Sequence, residues 1–146
     1  LFGSYEYGTI LGPKWQGVPL MIGVNWVLMM LCCGNAVQRV LNAIWNRLRL
    51  PEQPARTDVG FWAIVLDGAL LATFFDWVME PVAVELGYWR WLGDGTIPLF
   101  NYLSWFGVSA LLMLVFRLLP IARNNQFALN LLLIQLMFFL ILRTAL

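Results

Sequence analysis

Two carboxylic acids, Asp76 and Glu80, lie four residues apart in the stretch "FFDWVMEPVAVELGYWRW" (Phe74 to Trp91), and a third, Glu85, follows just beyond Pro81. On a helix, an i, i+4 spacing puts two side chains on one face. The surrounding sequence is apolar, and an aspartate within such a segment costs about 2.5–3.5 kcal/mol on insertion scales. A carboxyl pair is suited to acid–base work. One member holds a proton while the other, ionised, favours a developing cation and later accepts a proton from water. An acid that protonates a neutral carbon must still carry its proton at neutral pH, a condition met by burial or by a like-charge neighbour. A water-exposed helix end is the other reading of the same spacing.

Further polar residues gather around this pair. Asn25 lies about two turns into an apolar run, and Asn101 and Ser104 share a face early in another. Glu6 sits in "SYEYG" near the start of the chain, and Asp94 follows the acidic stretch. Asp67 stands apart: nine residues before Asp76 is half a helical rotation, so it points elsewhere and lies deeper. By itself Asp67 best fits an intramembrane acid facing a bundle interior or cavity. Asn25 and Asn101 are candidates for positioning water. The positions inward of Asp76 on its ridge, Gly68 and Ala72, are small and suit either close helix packing or a ligand groove. Aromatic residues crowd the same end, among them Tyr5, Tyr7, Trp15, Trp26, Trp77, Tyr88, Trp89, Trp91, Tyr102 and Trp105. They read as interfacial anchors or as ring faces that stabilise a transient carbocation. Trp26, Trp77, Tyr88 and Trp105 are the candidates for touching a substrate.

The elements that must position these residues are membrane helices. Of 146 residues, 61% are hydrophobic and only 12% are charged, and mean hydropathy is +0.75. Soluble domains average roughly 45–50% apolar and about 25% charged. The sequence therefore predicts an all-α, polytopic membrane bundle forming a single domain. Spans of about 20 residues are expected near 18–33, 61–78, 97–119 and 127–142, the first ended by Gly34 and Asn35. Between the first two, Val37, Val40, Leu41, Ile44, Trp45 and Leu48 recur at helical spacing, predicting a separate amphipathic helix near 37–50, either interfacial or a plain connector. Pro51 and Pro54 break it. The chain begins with Leu1 in a polar, turn-rich stretch unlike a signal peptide, and the expectation is that an upstream segment is missing.

Composition also excludes chemistry. With no histidine, Ser-His-Asp and Cys-His catalysis, His-ligated haem and nearly all zinc enzymes drop out. Cys32 and Cys33 are adjacent in an apolar run and read as small buried hydrophobes. A net charge of +1 provides no field for nucleic acid.

Three motifs, "FGSYEYGTILGPKWQGVPLMIGVNW", "DWVMEPVAVELGYWRW" and "GTIPLFNYLSWFGVSALL", occur in this order over roughly residues 2–119. They resemble the membrane carotenoid-biosynthesis proteins that include the carotenoid 1,2-hydratases, of the bisanhydrobacterioruberin hydratase kind. The resemblance implies a multi-pass enzyme of a prokaryotic cytoplasmic membrane, without cofactor or metal. That enzyme adds water to the terminal C1–C2 double bond of an acyclic carotenoid to give a tertiary alcohol. Members usually carry further helices before the point where this chain starts. The matching polar positions are Glu6, Asn25, Asp67, Asp76, Glu80 and Asn101, with roles that have to be argued chemically. The chemistry fits the residues: an unactivated alkene is hydrated by protonation to a tertiary cation followed by capture by water. Rival readings are an end-group cyclase using the same acid, a non-catalytic carotenoid- or lipid-binding subunit of a larger membrane complex, and a proton-coupled transporter. With four spans and no visible inverted repeat, the transporter has little support.

Lysine and arginine placement orients the bundle. Arg39, Arg47, Arg49, Arg56, Arg117 and Arg123 fall on the side of the 34–59 and 118–126 connections, against Lys14, Arg90 and Arg143 on the other. The 34–59 side is expected to be cytoplasmic and the 81–96 loop external. A cysteine introduced at Gly93 should then react with a membrane-impermeant thiol reagent on intact cells, above the unsubstituted background. One at Gln53 should not, and strong labelling at Gln53 alone would invert the topology.

Overall fold

A computed structural model describes residues 3–48, 58–92, 95–120 and 125–146. Four helices carry the fold: α1 (Leu20–Leu48), α2 (Asp58–Glu85), α3 (Leu99–Leu118) and α4 (Gln126–Ala145). All four are long and apolar enough to cross a membrane. The predicted all-α membrane class holds. Four short strands accompany the helices: β1 (Tyr5–Tyr7), β2 (Lys14–Trp15), β3 (Val18–Pro19) and β4 (Trp89–Trp91).

The first helix corrects the sequence reading. Gly34 and Asn35 do not end it; α1 runs unbroken for 29 residues and absorbs the expected amphipathic helix, with its Arg39 and Arg47, as its second half. Residues 49–57, with Arg49, Pro51, Pro54 and Arg56, lie outside the described residues, as do Asp94 and Arg123. Gly34 is a contact residue. A Cβ placed on it would meet the Phe116 ring of α3 at 2.7 Å. Asn35 is satisfied while buried: its Nδ2 donates to the Leu31 carbonyl one turn back at 2.8 Å, and its Oδ1 accepts from the Asn125 amide at 2.9 Å. Asn125 caps α4, its own side chain accepting from the amides of Phe127 and Ala128. At about 1.5 Å per residue, α1 is roughly 43 Å long, more than the ~30 Å hydrocarbon thickness. It must therefore tilt or protrude.

α2 is the central element, packed against α1, α3 and α4. Its small residues belong to helix packing: a Cβ on Gly68 would lie 2.8 Å from the Met113 sulfur of α3, and Ala72 is buried in the core. Ile64, Val65, Phe75, Met113, Phe116 and Cys33 fill that core. Outward faces are equally apolar, with Leu70, Leu103, Leu111, Ile134, Met137 and Ile141 all exposed. That inversion is expected where lipid is the solvent, since burial against lipid costs an apolar side chain nothing.

Pro81 sits inside α2 without ending it. Proline has no N–H, so the Trp77 carbonyl four residues back loses its helical partner. Arg143 of α4 replaces it, donating through Nη1 to that carbonyl at 3.0 Å while its guanidinium lies 4.3 Å from the Trp77 ring centroid.

Because the Phe116 ring is fully buried, it has little room to yield to a side chain on Gly34. Gly34→Leu should destabilise the bundle by about 1–3 kcal/mol, the usual cost of overpacking. Thermal unfolding in detergent measures it; an unchanged midpoint would mean that the α1–α3 contact is not close-packed.

Candidate functional site

The end of α2 decides the geometry. Tyr88 N–H donates to the Ala83 carbonyl at 2.9 Å, Gly87 N–H to Val84 at 3.0 Å, and Gly87 has φ +72°. This is a Schellman cap, in which glycine takes the left-handed conformation without Cβ strain. The cap turns the chain back over the helix end and launches β4. Gly8 fits against that turn: its N–H donates to the Tyr88 carbonyl at 2.8 Å, and a Cβ there would collide with the Gly87 carbonyl oxygen.

β1 and β4 pair antiparallel with Tyr5 opposite Trp91, Glu6 opposite Arg90 and Tyr7 opposite Trp89. Alternation along each strand sends Tyr5, Tyr7, Trp89 and Trp91 to the inner face and leaves Glu6 and Arg90 outside, where they form an exposed ion pair at 2.7 Å. Hydrogen bonding to Arg90, together with its charge, holds the Glu6 carboxyl below its usual range. The β2–β3 hairpin turns at Gln16 and Gly17, both at positive φ, and leads into α1. Lys14 of that hairpin donates to the Tyr7 carbonyl at 2.8 Å, tying it to the ribbon.

Beneath the ribbon, Asp76 and Glu80 are buried, at 0% and 1% exposure. That excludes the reading of a water-exposed helix end. Glu80 Oε1 accepts both indole N–H groups of the ribbon, from Trp89 at 2.7 Å and from Trp91 at 2.8 Å. Asn101 of α3 donates to Asp76 Oδ2 at 3.0 Å. The two carboxyl groups lie within hydrogen-bonding reach of each other. Asp76 Oδ1 meets no N–H or O–H donor among the described residues. Two carboxyls can hydrogen-bond only by sharing a proton.

A cavity of about 450 Å³ opens against this pair, within the usual small-molecule range. Glu80 and Asn101 reach its wall, and Asp76 lies behind them. The remainder is aromatic and aliphatic: the four inner residues of the ribbon, Val18 of β3, Ile22 and Gly23 at the start of α1, and Trp26 and Trp105. Trp26 and Trp105 stack with centroids 4.1 Å apart. Burial, helped by the Tyr5 hydroxyl and the Glu80 charge, pushes the Tyr7 phenol well above its ordinary range, so it stays protonated.

The structure thus brings together Asp76, Glu80, Asn101, Trp26 and Trp105 of the residues expected from sequence. Asp67 is exposed on α2 between the exposed Leu66 and Leu70, not facing a bundle interior. Nine residues from Asp76, it is turned away by the same helix rotation that buries the pair. Asn25 is exposed on α1, and Glu6 is engaged with Arg90 on the outer face. Trp77 is exposed beneath Arg143, and Tyr88 lies at the helix cap; neither lines the cavity. Sequence reasoning left Tyr5, Tyr7, Trp89 and Trp91 among the general aromatic crowd. Their signal was the alternation in "YEY" and "WRW", a two-residue period with one charge between two aromatics.

Fold and site define a multi-pass helical membrane protein with a buried carboxyl pair beneath an aromatic ribbon at one end of the bundle. The chain belongs to the carotenoid biosynthesis protein family, whose model matches residues 1–146. Its role is accordingly in carotenoid biosynthesis, and its apolar helices suit a lipid-soluble carotenoid and membrane lipid. No curated protein and no solved structure matches it significantly.

Removing a donor from a buried acceptor costs about 1–3 kcal/mol. Trp91→Phe, which removes one donor to Glu80 and keeps an aromatic ring, should lower stability by about that amount in detergent unfolding. Glu6→Gln, on the exposed face, should leave the unfolding midpoint unchanged. Equal effects would mean that the ribbon is held by its outer ion pair.

Proposed function

We propose that this protein is a carotenoid 1,2-hydratase that adds water to the terminal double bond of an acyclic carotenoid. The observation that carries the reading is Glu80: a buried carboxyl on the wall of an aromatic cavity, with a second carboxyl one helical turn behind it. Oε1 must keep its lone pairs to accept two indole N–H groups. The transferable proton therefore belongs on Oε2 or on Asp76. Asp76 Oδ2 already accepts from Asn101 while Oδ1 has no N–H or O–H donor among the described residues, so Oδ1 is assigned the proton shared with Glu80.

In this mechanism Glu80 delivers its proton to C2 of the terminal alkene, and the π pair forms the new C–H bond. Positive charge develops at C1, where three alkyl substituents stabilise it. The ring faces of Trp26, Trp105 and the ribbon stabilise it further through their quadrupoles. Water attacks C1 and loses a proton to the carboxylate, which restores the pair. Asp76 tunes and replenishes Glu80, and Asn101 orients Asp76. Water and alkene are the only reactants consumed. A prokaryotic cytoplasmic membrane and additional membrane subunits are part of the same proposal.

Membranes containing the protein, supplied with an acyclic carotenoid in H₂¹⁸O, should form a tertiary alcohol with one labelled oxygen per reacted end, without O₂ or reductant. In D₂O one deuterium should appear on the carbon beside the alcohol. Glu80→Gln and Asp76→Asn should each reduce turnover by about 10²–10⁴-fold, the usual contribution of a general acid–base group, while the protein still accumulates. An O₂ requirement would exclude the hydratase. A ring-closed product with deuterium and no ¹⁸O would make the protein a cyclase, and pigment recovered bound but unchanged would make it a carotenoid-binding subunit.

A further inference from the structure

A tertiary cation in a cavity has competing fates. It can return a proton and revert to an alkene, or it can be captured by water. Which occurs depends on whether a water is held beside C1 when the charge forms. The cavity wall is mostly ring and aliphatic surface, so few groups can hold one. Asn101 has one amide hydrogen committed to Asp76, Glu80 Oε1 accepts from the two indoles of the ribbon, and those indole N–H groups are used in the same bonds. Asn25 is exposed on α1 and does not line the cavity.

Two hydroxyls do line it. Tyr5 and Tyr7 project from the same face of β1, and their oxygens are 3.0 Å apart. One O–H is used between them. Each phenol has one hydrogen and two acceptor lone pairs, so the pair still offers one O–H and several lone pairs. Their edge-to-face ring packing, with centroids 5.0 Å apart and Tyr5 also against Trp91 at 5.3 Å, holds both rings and so both phenol oxygens in place. Across the ribbon stand the residues that hold Glu80: Trp91 opposite Tyr5 and Trp89 opposite Tyr7. One short ribbon therefore carries the clamp on the acid and a hydroxyl pair on the same inner face.

We propose that the Tyr5–Tyr7 hydroxyl pair is the water-holding subsite of this cavity, which commits the cation to the alcohol. This rests on the hydratase reading. The bound water accepts the remaining phenol O–H and donates one hydrogen toward the Glu80 carboxylate, keeping a lone pair for C1. On attack the C1–O bond forms, the water O–H bond breaks and the proton returns to Glu80 Oε2. Tyr7 remains a neutral donor throughout, as its burial requires.

The test separates protonation from capture. In D₂O, an enzyme that protonates reversibly puts deuterium into recovered alkene, while one that captures puts it into alcohol. Membranes containing wild type, Tyr5→Phe or Tyr7→Phe are given the same acyclic carotenoid, and the ratio of deuterated alkene to alcohol is measured. Each variant should raise that ratio about five- to tenfold, the worth of a single hydrogen bond. The sum of the two products should be preserved. That preserved sum also shows that the site is intact, since an unfolded variant gives neither product. The double variant should raise the ratio further. An unchanged ratio, or loss of both products together in each single variant and in the double variant, would overturn the proposal. If wild type itself forms no ¹⁸O-labelled alcohol, the hydratase reading fails; if it does and the ratio does not move, only the tyrosine assignment fails.

Discussion

Burying Glu80 sets the terms for everything around it. A carboxyl removed from water must find donors, because neither lipid nor an apolar core supplies them. Here the donors are two indole N–H groups converging on one oxygen. They can converge only if Trp89 and Trp91 lie on one face of an extended strand, and that strand must pass over the end of the helix that carries Glu80. The Schellman cap at Gly87 makes that reversal, and β1 holds the returned strand in register. The close approach of Gly8 to Gly87 joins the two. Cap, ribbon and acid thus form one dependent set.

The same constraint separates the two acids in chemistry. Asp76 and Glu80 share a helix face, yet they differ in partner and position. Glu80 faces the cavity and is held from above by the ribbon; Asp76 lies behind and is held from the side by α3 through Asn101. A pair whose members receive different donors does not split a proton evenly, and its titration belongs to the pair. One acid facing substrate with a second in reserve suits chemistry in which a proton is given to carbon and then recovered from water.

Proline and glycine shape the bundle in ways that single letters conceal. Pro81 would be expected to break a helix. It costs α2 one hydrogen bond, which Arg143 replaces from α4 while packing on Trp77. Gly34 and Gly87 are both plausible helix stops. Only Gly87 takes a positive φ; Gly34 remains helical and lets Phe116 approach. Glycine serves both purposes because it lacks a Cβ, so its identity does not say which one applies.

Composition and spacing by themselves determined the class: a chain this apolar, with four long runs, has to form membrane helices. Spacing also determined that Asp76 and Glu80 share a face and that Asp67 does not, since the helical period is fixed. What spacing left open was which side of each helix is buried. Lipid-facing and core-facing residues are equally apolar here, so no hydrophobic stripe marks the interior. Asp67 could therefore be read as an interior acid, and Trp77 as readily as Trp26 for a cavity residue. Only the tertiary structure decided that Gly87 reverses the chain, that "YEY" and "WRW" pair across 84 residues, and that their aromatic faces close over Glu80. Strand pairing between distant short segments is a non-local contact, and the physics that selects it, donors for a buried carboxyl, appears only once the chain is folded.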